Sequence, residues 1–173
     1  MAAGNTYVAL DSTTLTTTTA SVTLSAISGA YTDLVIVVTG QGVYTATDYL
    51  DVGMQFNGDT GSNYSTTRMY GTGTTATSVR YSSESSIRIA FIQGLVTASA
   101  VHSTMSINIL NYSNATTYKT ALSRSGTAAG AVSANVGLWR STAAITSVLI
   151  KNIDSASGFH TGSTFTLYGI AAA

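Results

Sequence analysis

The chain contains no cysteine and no proline. Without cysteine it has no disulfide framework, no thiolate metal site, no thiol nucleophile and no redox dithiol. Proline ordinarily makes up about 5% of a chain and charged residues about 25%. Here charged residues are only 8%, and the 7 Lys and Arg cancel the 7 Asp and Glu. A neutral balance gives no electrostatic pull toward nucleic acid or an anionic membrane, so neither is expected as a partner. The longest purely aliphatic run, Leu34 to Val38, falls far short of the ~20 residues of a spanning helix. Met1 to Asn5 show neither a basic n-region nor an apolar h-region. Secretory export is therefore not expected, the Met is read as the start of a whole gene product, and residues 1–5 are expected to form a flexible N-terminal end.

What is abundant is the small hydroxyl: 30 Thr and 23 Ser in 173 residues, with hydrophobic content at 45%. That much apolar content with so little charge excludes disorder. The length suits one domain, 1–173, able to hide about 70% of its unfolded surface. Thr, Val, Ile, Tyr and Phe favour strands, and helix formers are scarce: one Glu, two Lys and three Gln.

Alternation is clear in several places. Leu50, Val52, Met54 and Phe56 alternate with Asp51, Gly53 and Gln55, giving one buried and one wet face, and Asn57-Gly58 then predicts a tight hairpin turn. Ile87, Ile89 and Phe91 alternate, as do Met105, Ile107 and Ile109, and Phe165 and Leu167. Leu34–Val38 is apolar on both faces, which suits a strand covered on both sides. Further strands are predicted at 7–10, 20–24, 64–70, 118–123, 132–138 and 145–150. Ser141–Ala144 reads as the single helical turn. Residues 13–19 read as strand-compatible and 71–78 as a flexible loop. The fold expectation is all-β, a single antiparallel β-sandwich. Its expected core is Leu34, Ile36, Val38, Val52, Met54, Phe56, Ile87, Ile89, Ile107, Ile109, Val148, Ile150, Phe165 and Leu167.

Groups able to do chemistry are few, and no catalytic, cofactor-binding or metal residue is assigned. His102 and His160 stand 58 apart with no metal spacing, and no G-x-S-x-G elbow supports a Ser/His/Asp triad. Asp48 and Asp51 are three apart along a strand. They would point to opposite sides, whereas glycosidase carboxylates converge on one bond; a solvated edge is the expectation. Asn57, Asp59, Thr60 and Asn63 make an oxygen-rich turn, read as Asx hydrogen bonding rather than a cation site because it holds one carboxylate. Gly71-Thr72-Gly73-Thr74-Thr75-Ala76 matches a loose dinucleotide fingerprint without its helix. The sequons at Asn63, Asn111 and Asn114 read as chance. The 10 tyrosines are the best binding signal, for protein contact or sugar stacking, and Trp139 reads as a structural anchor. A sandwich with so few charges and no proline also lacks the usual guards on its edge strands, so either the edges are covered or the chain self-associates.

Several strings carry a resemblance: YTDLVI (31–36), FNGDTGSNY (56–64), YKT (118–120), GLWRSTAAITSV (137–148) and GSTFTLYGI (162–170). In this order they resemble a family of tailed-bacteriophage virion proteins, over about residues 20 to 170. The resemblance implies a jelly-roll-like sandwich with a structural, non-enzymatic role in the virion, often as a homotrimer. It implies a capsid decoration, or cement, protein on the capsid surface whose partners are its own copies and the major capsid protein. The alternative it leaves open is a receptor-binding tail-fibre module that recognises host glycans.

Overall fold

A computed structural model describes residues 6–44, 49–94, 101–127, 130–153 and 158–171. The expected flexible end, 1–5, lies outside them. The described residues form twelve strands and no helix: β1 Tyr7–Thr14, β2 Ser21–Leu24, β3 Asp33–Gly40, β4 Tyr49–Phe56, β5 Tyr64–Gly71, β6 Ala76–Glu84, β7 Ile87–Gln93, β8 Ser103–Leu110, β9 Lys119–Gly126, β10 Val132–Trp139, β11 Val148–Asn152 and β12 Thr164–Ile170. They make two antiparallel sheets, ordered β1-β12-β3-β8-β9-β10-β5-β6 and β2-β11-β4-β7. Eight strands, β1-β12-β3-β8 over β2-β11-β4-β7, have the strand order of a jelly roll. The hairpin β5–β6 is inserted after β4 and the hairpin β9–β10 after β8, and both extend the larger sheet past its fourth strand.

The expected core is the observed one. Every residue named for it is buried in a single cluster between the sheets. Other expectations are corrected. Ser141–Ala144 is not a helical turn: Ser141 Oγ accepts only the Ala143 amide, at 3.2 Å. The amides that a helix would use next, on Thr146 and Ser147, are instead donated to Asn57 Oδ1. Of residues 71–78, only 72–75 form a loop. Thr72 N–H donates to Thr75 O at 3.0 Å, and a tight turn opens β6. Within 13–19 only Thr13 and Thr14 belong to a strand. The Asn57-Gly58 turn forms with the expected positive φ, 52° and 70°, but it closes no hairpin. It carries the chain from β4 into β5, which lies in the other sheet. The second face of β4 is not wet: Asp51, Gly53 and Gln55 are all buried.

The large sheet covers its smaller partner in two chemically different ways. Over β3, β8 and β12 the inner side chains are large and aliphatic or aromatic: Ile36, Ile107 and Phe165. Over β9 and β10 they are small: Ala121, Ser123, Ser125, Ser133, Asn135 and Gly137. There the backbone of β7, the edge strand of the small sheet, comes close. A Cβ on Gly137 would lie 2.2 Å from Ile87 Cγ2. The polar groups that β7 turns away from β4 are then met by side chains of the large sheet. Arg88 N–H donates to Thr66 Oγ1 at 3.0 Å, Phe91 N–H to Ser125 Oγ at 3.1 Å and Gln93 N–H to Ser103 Oγ at 2.7 Å. Ile89 O accepts from Ser123 Oγ at 2.6 Å and Asn135 Nδ2 at 2.9 Å. Pairing with β4 skips Ile89, passing from Val52–Ala90 to Gly53–Arg88. This is a bulge that turns both parts of the strand toward these partners.

Two substitutions test this seam. Ser125→Ala leaves the Phe91 amide buried without its acceptor and should cost about 1–3 kcal/mol in urea unfolding. Gly137→Val forces side-chain atoms into Ile87 and should cost at least the ~1–3 kcal/mol of overpacking.

Candidate functional site

The groups singled out for chemistry are separated or consumed internally. Asp48 lies outside the described residues. Asp51 is not at a solvated edge, as expected for it, but at the centre of a buried charge network. Its Oδ1 lies 2.5 Å from Arg68 Nη1 and its Oδ2 2.7 Å from Arg88 Nη1. Arg68 is 1% exposed, donates from Nε to Asn135 Oδ1 at 2.7 Å, and holds its guanidinium 4.3 Å from the Phe91 ring centre. Arg88 lies equally close to the Tyr81 ring, 4.3 Å away, and reaches Glu84 at 3.5 Å. Burial opposes the Arg88 charge, but Asp51 outweighs it and holds the group above the usual arginine range. The hairpin β5–β6 thus folds its inner face over β7 and onto the outer side of β4, because Asp51 can be buried only with guanidinium partners.

His102 is exposed, and His160 Nδ1 lies 2.8 Å from Thr161 O. Among the described residues no cluster of three or more His, Asp or Glu side chains is placed to hold a metal ion. The Gly71–Ala76 segment is the β5–β6 turn, with no helix after it.

The oxygen-rich turn and the resembling strings come together as one clamp. Asn57 Oδ1 accepts from the Thr146 and Ser147 amides at 2.8 and 3.2 Å, and its Nδ2 donates to Ala144 O at 2.8 Å. The Asp59 carboxylate accepts from Trp139 Nε1 at 2.7 Å, from Asn63 Nδ2 at 3.0 Å and from the Gly61 amide at 2.8 Å. The Trp139 indole bond, then Asn63, hold this carboxyl below its ordinary value, against the effect of burial. Arg140 Nη2 donates to Ser62 O at 2.8 Å, and the Trp139 ring stacks on Tyr64, 6.3 Å between centres. Lys119 closes the other side. Its ammonium, pushed below the usual lysine range by burial, donates to Thr117 O at 2.7 Å and Thr142 O at 3.0 Å. FNGDTGSNY, YKT and GLWRSTAAITSV therefore meet around the loop 140–147. Likewise YTDLVI meets GSTFTLYGI, where the Tyr31 ring covers Gly169 so closely that a Cβ there would lie 2.4 Å from it. Trp139 is the anchor it was expected to be, 2% exposed.

What remains for contact with other molecules is the outer face of β8, β9, β10, β5 and β6. Met69, Leu110, Leu122, Val132 and Val136 all point outward there, and they are most of the large apolar side chains exposed among the described residues. Arg80 and Arg124 are its charges, and it bears no acid. The tyrosines give no such cluster: Tyr64 and Tyr112 are buried, while the exposed Tyr7, Tyr44 and Tyr118 lie on three separate segments. Sequence reasoning missed this face and Arg68. The signal was parity: Arg68 falls in step with the inward Tyr64, Thr66 and Tyr70, whereas Val132, Val136 and Leu138 fall out of step with Trp139.

Asp59→Ala should cost about 2–3 kcal/mol through its charge-assisted bonds and red-shift the emission of the single tryptophan. The depressed Asp59 carboxyl contributes stability that is complete above 3.8 and lost as pH falls through its lower folded value. Urea titrations should show Trp139→Phe declining less steeply than the parent over that window. At the alkaline end, burial raises the Tyr64 hydroxyl to about 12 from 10.0. The unfolded chain therefore ionises first, and stability falls as pH rises between those values. Tyr64→Phe should flatten that limb.

No family model, curated protein or solved structure matches the chain.

Proposed function

We propose that the protein is a structural virion component of a tailed bacteriophage. In this reading it is a homo-oligomeric decoration protein that binds the outer surface of the assembled capsid and stabilises it. The observation that carries the reading is the fate of the charged groups. Asp51, Asp59 and Lys119 are bound to partners within the fold, and the outer face of β8, β9, β10, β5 and β6 exposes apolar side chains with Arg80 and Arg124 as its only charges. Such a surface suits wide, permanent contact rather than turnover or steered encounter. The jelly-roll strand order and the resemblance of the strings that meet inside it support the same reading, and three is the number of copies that the resemblance implies. Stabilisation would come from binding energy alone, on the order of 1,000 Å² or more of interface per contact, multiplied by the valency of an oligomer.

Particles assembled without the protein should form yet release DNA at lower temperature or after milder osmotic shock. Purified protein added back should restore stability and saturate. Labelled protein that ignores capsids but coats host cells, competed by host polysaccharide, would replace this reading with the glycan-binding tail module.

A further inference from the structure

Asn57-Gly58 is the only Asn-Gly pair in the chain, and every other asparagine precedes a residue that carries a side chain. Asparagine before glycine is prone to cyclise, because the attacking amide then has no bulk beside it. The Gly58 nitrogen attacks the Asn57 side-chain carbonyl carbon, and a C–N bond forms. The Cγ–Nδ2 bond breaks. The Gly58 amide proton ends, by way of solvent, on Nδ2, which leaves as ammonia. Water then opens the five-membered imide to aspartate or isoaspartate, and nothing is oxidised or reduced.

The nucleophile lies open. Asn57 and Gly58 are both exposed, and the Gly58 amide donates to no group among the described residues. No atom beyond its chain neighbours lies within 4 Å of a Cβ placed on Gly58. The electrophile is held. Asn57 Oδ1 accepts from the Thr146 amide at 2.8 Å, the Ser147 amide at 3.2 Å and Thr146 Oγ1 at 3.3 Å, while Nδ2 donates to Ala144 O at 2.8 Å. The nitrogen that must leave is thus one of the groups that fasten the loop 140–147.

We propose that Asn57 is a modification site: a spontaneous deamidation that the loop 140–147 holds back in the folded chain, and that opens the clamp for good once it occurs. The inference is independent of the functional reading. Attack requires the Gly58 nitrogen above the plane of the carboxamide, at ~3–3.5 Å, so the group must be able to turn. Bonds at both of its ends fix it. In the imide Nδ2 is gone and Cγ is tied to Gly58, so bonds to the loop are lost on the way. Each hydrogen bond favours the held state by a factor of roughly 2–10, and the two amides with Ala144 O should together slow the reaction at least about tenfold. The products cannot restore the clamp. An ionised aspartate only accepts, which sets an oxygen against Ala144 O where Nδ2 had donated. Isoaspartate adds Cβ to the main chain and displaces Gly58 and Asp59, so the bond from Trp139 is lost as well.

The test is peptide mass spectrometry on the purified full chain kept at mildly alkaline pH, folded and in guanidinium chloride. In denaturant Asn57 should deamidate ahead of every other asparagine. In the folded chain it should react at least about tenfold more slowly. Thr146→Val removes an exposed hydroxyl with little change of shape, and Lys119→Met releases Thr142 O. Each should speed the folded reaction roughly twofold or more and leave the denatured rate unchanged. Asn57→Asp should fold, by tryptophan emission, and melt about 2–6 °C below the parent. A folded chain that reacts as fast as the denatured one would overturn the proposal. So would a faster one, in which the Thr146 and Ser147 amides act as an oxyanion hole. Another asparagine reacting first, loop variants that keep the parent rate, or Asn57→Asp melting with the parent would equally overturn it. Should Lys119→Met fail to fold, Thr146→Val decides the comparison. Protein that ignores capsids removes only the capsid reading and touches none of these outcomes.

Discussion

The backbone of β7 governs the rest of the molecule. It is the edge of the small sheet, so without cover it would present a row of unpaired amides and carbonyls in the middle of the protein. The large sheet answers with Thr66, Ser103, Ser123, Ser125 and Asn135, each on a strand that crosses over the edge. A side chain that caps a backbone group must be short, polar and close. Close approach in turn requires alanine and glycine beside it, as at Ala121 and Gly137. Small hydroxyls thus have a structural use here, and the two inserted hairpins carry all of these capping side chains but Ser103, which is on β8.

Once the edge is closed this way, the large sheet extends beyond the small one and must cover what it overhangs. The hairpin β5–β6 brings Arg68, Tyr70 and Tyr81 over Phe91 and Asp51. A buried ion pair of this kind contributes little net stability against an apolar substitute, but it is expensive to break once formed. It also accepts only one register: a shift by one residue would turn Arg68 outward and leave Asp51 with Arg88 alone.

The clamp around 140–147 solves a different problem. A loop without helix or sheet bonds must still satisfy its amides and carbonyls, and Asn57, Lys119 and the Tyr112 carbonyl do so from three directions. The strings that carry the resemblance are therefore mutually dependent: Asp59 orients Trp139, which stacks on Tyr64, whose hydroxyl donates to the Asp59 carbonyl at 3.0 Å. The charged groups in these roles, Asp59 and Lys119, are engaged by partners within the fold.

Much of this was determined by the amino-acid sequence alone. Alternation in β4, β7, β8 and β12 determined which residues make the core, because a strand with one aliphatic parity has one way to bury it. Asn57-Gly58 determined a left-handed turn, since few other pairs adopt positive φ at so little cost. The tertiary structure alone decided that β4 and β5 part into different sheets after that turn, that Asp51 is buried, and that residues 76–84 are a strand. It also decided the orientation of β9 and β10, where the aliphatic parity faces out. The reason is common to all four: each depends on neighbours beyond the local pattern, such as Arg68 and Arg88 for Asp51, β5 for residues 76–84 and the β7 backbone for β9 and β10. Local pattern records what a residue prefers, whereas the partner brought by the fold decides which preference is met.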